Sequence, residues 1–96
     1  MTNSEAIPNR EIAAMVAAIL STLYATEAEP MNWGFVPSGI IYAALMERMG
    51  VDYDTYMRLV AFLEEKGLIT QKAHLLALTQ TGKQLAERVE ALARKH

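Results

Sequence analysis

The chain lacks cysteine and carries little net charge, and each of these absences excludes some classes of protein. With no cysteine among 96 residues, neither a disulfide nor a thiolate metal site can stabilise the fold. A formal net charge of −2 means that any nucleic-acid site must be a local patch. The chain is 52% hydrophobic and 21% charged, which indicates a single small globular domain over 1–96 with a thin core.

Long apolar runs are also absent. The longest extends from Ile12 to Leu20, well short of the roughly 20 residues that a transmembrane helix needs. The segment before it holds Glu5 and Glu11 against Arg10 alone, unlike the basic start of a signal peptide. We therefore expect a cytoplasmic protein with no membrane contact.

No catalytic or metal-binding constellation can be assembled from the sequence. His74 and His96 have no neighbouring ligand at metal spacing, and Asp52 and Asp54 are better explained as helix caps than as a catalytic pair. Thr81-Gly82-Lys83 lacks the rest of a phosphate-binding loop. The sequence therefore predicts no enzyme, no metal site and no cofactor.

A long helix is predicted over 8–28, after a flexible start over 1–7. Pro8 suits a first helical turn, and apolar residues recur on one face at helical spacing: Ile12, Val16, Ile19, Leu20 and Leu23. Small residues occupy the opposite face: Ala14, Ala18, Ser21 and Ala25. Since a helix that is apolar or small all round is normally buried, we expect a second copy of the chain to pack here in a homodimer.

Two shorter helices are predicted after a loop over 29–37, which contains at most one short strand and has Trp33 packed on the first helix. Ser38 is predicted to cap a helix over 39–49 that stops at Gly50. Asp52 or Asp54 caps the next helix, which runs to Lys66 and stops at Gly67. The predicted buried stripes are Ile41, Leu45 and either Tyr42 or Met49 in the second helix, and Tyr56, Leu59, Val60 and Leu63 in the third.

A β-hairpin and a final helix complete the predicted order. Strands are predicted over 68–70 and 75–78, joined by a connection over 71–74. Thr79 or Thr81 caps the last helix, over 80–95, and Gly82 permits its tight first turn. The predicted buried stripe of this helix is Leu85, Val89 and Leu92. Two short helices joined by a tight turn and followed by a hairpin are typical of a winged helix-turn-helix.

Two stretches resemble winged-helix regulators of the MarR and PadR type. Residues 55–69 resemble their recognition helix and first wing strand, and the run Leu78-Thr79-Gln80-Thr81-Gly82-Lys83 resembles their exit from the wing. Together with the preceding helix, the resemblance covers about residues 36–92. It implies a mainly α (α+β) winged helix, with the helix-turn-helix and wing over 36–79.

The resemblance also implies a function, in which the third helix enters the major groove of double-stranded DNA and the wing contacts its backbone. Arg58 then contacts a base or phosphate, Thr55 contributes a hydroxyl, and Lys72 and His74 contact phosphates. The implied protein is a dimeric transcriptional regulator.

The charge pattern favours an alternative function. Residues 52–79 hold three basic and four acidic side chains, although affinity for DNA comes largely from neutralised phosphates. Met57 and Phe62 flank the outward face of the third helix, where an apolar surface can bind a protein partner. They can equally be buried under the first helix or a partner subunit. The alternative is a winged-helix interaction or assembly module that does not bind DNA.

Overall fold

The computed structural model describes residues 9–27 and 35–94. Their elements are, in order, α1 (Asn9–Glu27), β1 (Val36–Pro37), α2 (Ser38–Met49), α3 (Tyr53–Glu65), β2 (Ile69–Lys72), β3 (Leu75–Leu78) and α4 (Gln80–Arg94). This order confirms the predicted mainly α winged helix. The predictions for 1–7, for Pro8 and for the loop around Trp33 lie outside the described residues, as does the end of the last helix beyond Arg94. Within the described ranges, every helix is too short or too polar to cross a bilayer.

The three strands form a small antiparallel sheet in which β3 lies between β1 and β2. Because β1 pairs only with Leu75 and Leu76, the N–H of Leu78 lies beyond its end. That N–H donates to Oε2 of Glu27 at 2.5 Å. Glu27, the last described residue of α1, thus accepts a hydrogen bond from a backbone N–H of the central strand that β1 leaves unpaired, and this bond links α1 to the sheet.

The hairpin between β2 and β3 is tighter than predicted. Pairing continues to Lys72 opposite Leu75, so only Ala73 and His74 form the turn. Ala73 has a φ of 55°, the left-handed conformation that a two-residue hairpin turn requires. The predicted connection over 71–74 is therefore wrong, since it is two residues too long. Lys72 belongs to the strand although it is polar, because the exposed face of an edge strand accommodates polar side chains well.

The core lies where the inner faces of the helices meet the sheet. The α3 stripe is confirmed in full, and Ile19, Leu20 and Leu23 of α1 are completely buried. In α2, Tyr42 is half-buried whereas Met49 is 42% exposed, so Tyr42 rather than Met49 belongs to the buried stripe of this helix.

The α4 stripe is partly wrong. Leu85 and Val89 are half-buried, but Leu92 is 60% exposed, and the fully buried positions are Gly82 and Ala86. The helix α4 packs against α1, but Gly82 lies against the backbone of Leu68, where a larger residue would not fit. The buried positions of α4 are therefore its small residues, whereas Leu92 lies on its exposed side.

Helix ends follow side-chain and glycine capping, with one exception. Oδ1 of Asp52 accepts a hydrogen bond from the backbone N–H of Thr55 at 2.9 Å, which makes Asp52 rather than Asp54 the cap of α3 and lowers the pKa of its carboxyl. Gly50 ends α2 in the left-handed conformation, with a φ of 67°. The exception is Ser38, which is the first residue of α2 and gives it no side-chain cap, because its hydroxyl bonds to Tyr56 instead.

The end of α3 is a Schellman motif. Gly67, with a φ of 75°, donates its N–H to the carbonyl of Glu64, and Leu68 donates to the carbonyl of Leu63. The chain then enters β2 directly. The predicted stop at Gly67 is confirmed, while Leu68 belongs to the turn and not to the strand.

Candidate nucleic-acid interface

The outward face of α3 is a narrow stripe of exposed residues. Since Tyr56, Leu59, Val60 and Leu63 are buried, the opposite side presents Asp54, Arg58, Ala61 and Glu65 at helical spacing. We call these four residues the outward stripe. Within α3 as a whole, three acidic side chains surround the single basic one, Arg58.

Arg58 is held by an acidic neighbour on its own helix. Nη2 of Arg58 lies 3.1 Å from Oδ2 of Asp54, one turn earlier, and the two side chains are 80% and 75% exposed. Exposed pairs of this kind contribute only about 0.3–0.5 kcal/mol to helix stability. In this contact the guanidinium lies over the outward stripe, and several of its N–H donors are still available.

Thr55 lies to the side of this stripe. It is half-buried and lines a shallow pocket whose walls include Glu11 and Met15 of α1. Thr55 therefore lies on the flank of α3 that faces α1. A contact of Thr55 with DNA stays a prediction, and its position makes that contact more peripheral than one from Arg58.

The wing is short and carries its two candidate phosphate-binding residues in exposed positions. Lys72 ends β2, and His74 completes the turn. A two-residue turn gives this wing little reach, so its contacts with a ligand must lie close to the body of the domain.

A hydrogen-bonded junction fixes the wing relative to the two helices of the helix-turn-helix. The N–H of Ser38 donates to the carbonyl of His74 at 2.7 Å. The hydroxyl of Tyr56 donates to the carbonyl of Ser38 at 3.1 Å, and the Ser38 hydroxyl lies 2.9 Å from the same phenolic oxygen. Because the phenol has one proton, the Ser38 hydroxyl is the donor in the second contact.

We call Ser38, Tyr56 and the His74 carbonyl the serine junction. It joins the wing turn, the start of α2 and the first turn of α3 in one network. Sequence reasoning missed it because Ser38 and Tyr56 are 18 residues apart and no local spacing rule connects them.

The apolar flank of α3 is only partly exposed. Phe62 is 42% exposed, and Nζ of Lys66 lies 5.6 Å from the centre of its ring. Met57 is half-buried and packs on the core, so the expectation that it is exposed needs correction. Its long, flexible side chain can turn inward from a position at the rim of the helix.

A larger exposed apolar cluster lies at the junction of α2 and α3. Met46, Met49 and Tyr53 are 49%, 42% and 60% exposed. Tyr42 connects them, because its ring is 5.4 Å from that of Tyr53 in an edge-to-face arrangement and it lies one helical turn before Met46. This cluster belongs mainly to α2 and lies outside the outward stripe.

The small residues of α1 face partly inward and partly outward. Ala18 and Ser21 are half-buried, whereas Ala14 and Ala25 are exposed. Within the chain they border α2 and α4, since Ser21 and Ala25 line a groove with Arg48 and Glu90, and Ala14 lines another with Met49. Packing within one chain accounts for the inner pair and leaves Ala14 and Ala25 accessible.

In the ranges 9–27 and 35–94, no three His, Asp or Glu side chains are grouped closely enough to hold a metal ion. No charged side chain is buried in the same ranges, and the completely buried Tyr56 contributes a phenolic hydroxyl that is hydrogen-bonded to Ser38.

Comparison with known proteins agrees with this architecture. A family model described as winged helix-turn-helix matches residues 37–96, from the end of β1 onward, which is more than half of the chain. The chain therefore belongs to the winged helix-turn-helix family. No curated protein and no solved structure matches it significantly. The narrower resemblance to MarR and PadR regulators stays a prediction.

Proposed function

We propose that this protein binds double-stranded DNA as a transcriptional regulator in the cytoplasm, with α3 in the major groove and the β2–β3 wing against the backbone. The observation that carries the proposal is the position of Arg58, exposed at the centre of the outward stripe of a winged helix-turn-helix domain. Family membership supports DNA binding in general, and Arg58 gives it a specific chemical contact.

The charges around Arg58 predict weak affinity for DNA of random sequence. Acidic side chains outnumber basic ones on α3, and the wing adds only Lys72 and His74. With one helix arginine and one wing lysine per chain as cationic contacts, the logarithm of affinity should fall with the logarithm of salt with a slope of about −2, and about −4 for a dimer. Tight binding therefore requires base contacts as well as phosphate contacts.

The test is titration of a labelled duplex at low and physiological salt, followed by anisotropy. Arg58→Ala should weaken binding about tenfold or more. Lys72→Ala should weaken it similarly on all sequences and reduce the salt slope by about 1. Lys83→Ala removes an exposed charge of the same sign in the first turn of α4, at the end of the hairpin opposite the wing turn and on the side of α4 opposite Leu92, and should leave affinity nearly unchanged.

Equal losses in all three variants would indicate attraction by net charge alone and contradict the proposed interface. Absence of binding by the wild type even at low salt would instead favour a protein-interaction module. Its surface would then be the cluster of Tyr42, Met46, Met49 and Tyr53 together with Phe62, since Tyr53 and Phe62 are exposed on α3 and Tyr42 connects Tyr53 to α2.

The proposal includes a homodimer formed through α1 and α4, which lie outside the helix-turn-helix and wing. The supporting features are the exposed small residues Ala14 and Ala25 and the 60% exposed Leu92. The double variant Ala14→Gln, Ala25→Gln should raise the dimer dissociation constant about tenfold or more by blocking close helix approach. Light scattering across a dilution series measures it, with the exposed Ala61→Gln on α3 as the control. A dimer of unchanged strength in the double variant would exclude this interface.

A further inference from the structure

We propose that Asp54 and Arg58 act together as a base-reading unit that selects a G·C base pair in the major groove. The inference rests on the proposed DNA-binding function and goes beyond it, because it assigns a base preference to particular atoms. It starts from the 3.1 Å contact between Nη2 of Arg58 and Oδ2 of Asp54 on the outward stripe.

The contact orients the arginine for guanine. An arginine recognises guanine through paired N–H donors directed at O6 and N7. The bond to Asp54 uses one of the two protons on Nη2, so the second Nη2 proton and the protons of Nη1 remain to form such a pair. The bond also favours one arrangement of a long side chain, by the small free energy of an exposed ion pair, which slightly reduces the conformational entropy lost when Arg58 docks on a base.

The carboxylate adds selection against wrong bases. Asp54 can only accept hydrogen bonds, and cytosine offers an N4 amino donor in the major groove, whereas guanine and thymine place acceptor oxygens there. With Arg58 on guanine, Asp54 is favourably placed only where an amino group lies beside it, as on the paired or adjacent cytosine. A carboxylate next to a keto oxygen would be repelled, so the pair discriminates by both attraction and repulsion.

The rest of the outward stripe is consistent with recognition of bases in preference to phosphates. Ala61 offers a methyl group of the kind that contacts the thymine methyl. Glu65, two helical turns after Arg58, adds only negative charge to the stripe. The acidic side chains weaken attraction to phosphates in general. Binding then depends on matched bases, which explains how an acidic recognition helix can serve a DNA-binding protein.

The experiment is selection by the full chain from a duplex library with a randomised central segment, at low salt. The wild type should enrich a G·C pair at one position in each half-site by about tenfold. Arg58→Ala should lose that preference. In Asp54→Asn, total retention of the library should rise because a negative charge is removed, while the G·C preference should fall several-fold and shift towards adenine, which asparagine recognises.

Glu65→Gln is the matched control, since it removes the same charge from the same stripe without touching Arg58. It should raise retention and leave the base preference intact. If Asp54→Asn and Glu65→Gln behave alike, or if the wild type binds without preference for G·C, the base-reading unit is wrong while DNA binding stands. If the wild type retains no duplex, both proposals are wrong.

Discussion

Replacing Gly82 with alanine should lower the free energy of unfolding by about 3 kcal/mol, as expected for steric overpacking at a rigid site. Gly82 lies in the first turn of α4 and is fully covered. A β-carbon built there would overlap the carbonyl oxygen of Leu68 and crowd the Leu78 side chain. Because the Leu68 atoms that the β-carbon would meet are backbone atoms, the overlap can be relieved only by moving α4 or the turn before β2.

Hydrogen bonds make both movements costly. The carbonyl of Leu68 accepts from the N–H of Thr79 at 3.0 Å. The Thr79 hydroxyl donates to the carbonyl of Gly67 at 2.6 Å and accepts from the N–H of Gly82 at 3.0 Å. The end of α3, the start of β2 and the start of α4 are thus tied at one point, and an added methyl group disturbs all three.

Urea unfolding of the variant measures this effect, and the melting temperature should fall by about 15 °C. Gly39→Ala is the matched control, because a β-carbon at that helical glycine meets nothing within 4 Å. Alanine there should be neutral or stabilise by about 0.5 kcal/mol. If Gly82→Ala were as stable as Gly39→Ala, α4 would have to start farther from Leu68 than the structure places it.

The same point explains the Leu-Thr-x-x-Gly step into the last helix. The sequence indicated that Thr79 or Thr81 caps α4 and that Gly82 allows a tight first turn. Thr79 is the cap, because its hydroxyl accepts a hydrogen bond from the N–H of Gly82, and this confirms the first of the two alternatives. Glycine is required at position 82 for a different reason, which is that the backbone of Leu68 leaves no room for a β-carbon. Because Leu68 is fourteen positions earlier in the sequence, a local sequence pattern cannot predict this contact.

Local signals elsewhere in the chain predicted local structure well. Apolar spacing identified the buried side of α3, and the glycines at 50 and 67 marked helix ends through their backbone conformation. Where two residues fitted the same local rule, as Asp52 and Asp54 did, the sequence left the choice open. The choice depends on which carboxylate meets the N–H of Thr55, a matter of atomic geometry.

In the candidate site, too, some features follow from local sequence and others depend on tertiary contacts. The exposure of Arg58 follows from helical spacing alone, and its contact with Asp54 is a spacing of one turn that a sequence can display. The orientation of Thr55 towards α1 and the inward packing of Met57 depend on tertiary contacts. The serine junction depends on the meeting of three elements, so only the folded chain reveals it.

Removing the Tyr56 side chain should have the largest effect on stability. Tyr56 is completely buried, and Tyr56→Ala should lower the free energy of unfolding by about 4 kcal/mol, mainly through the cavity left by the ring. Because this is a large part of the stability of a small domain, the variant can be partly unfolded at equilibrium. Tyr56→Phe keeps the ring, and it should cost only about 1 kcal/mol for the hydrogen bonds to Ser38.

A double-mutant cycle tests whether that smaller loss belongs to the serine junction. Ser38→Ala removes the hydroxyl that donates to Tyr56, and its effect should be largely absent in the Tyr56→Phe background, with a coupling energy of about 1 kcal/mol. Additive losses would show that the two hydroxyls stabilise the fold independently. Urea unfolding of the four proteins provides all the values that the cycle needs.

The pH dependence gives a second and independent readout of the same hydroxyl. Burial raises the pKa of Tyr56 above its ordinary value of 10.0, so the folded state holds its proton more tightly than the unfolded chain does. The resulting stabilisation is present below pH 10.0 and is lost as the pH rises through the higher, folded-state pKa. Wild-type stability should therefore fall more steeply at alkaline pH than that of Tyr56→Phe. Tyr24, whose pKa is raised by its hydrogen bond to Glu87, contributes equally to both proteins and cancels in the comparison.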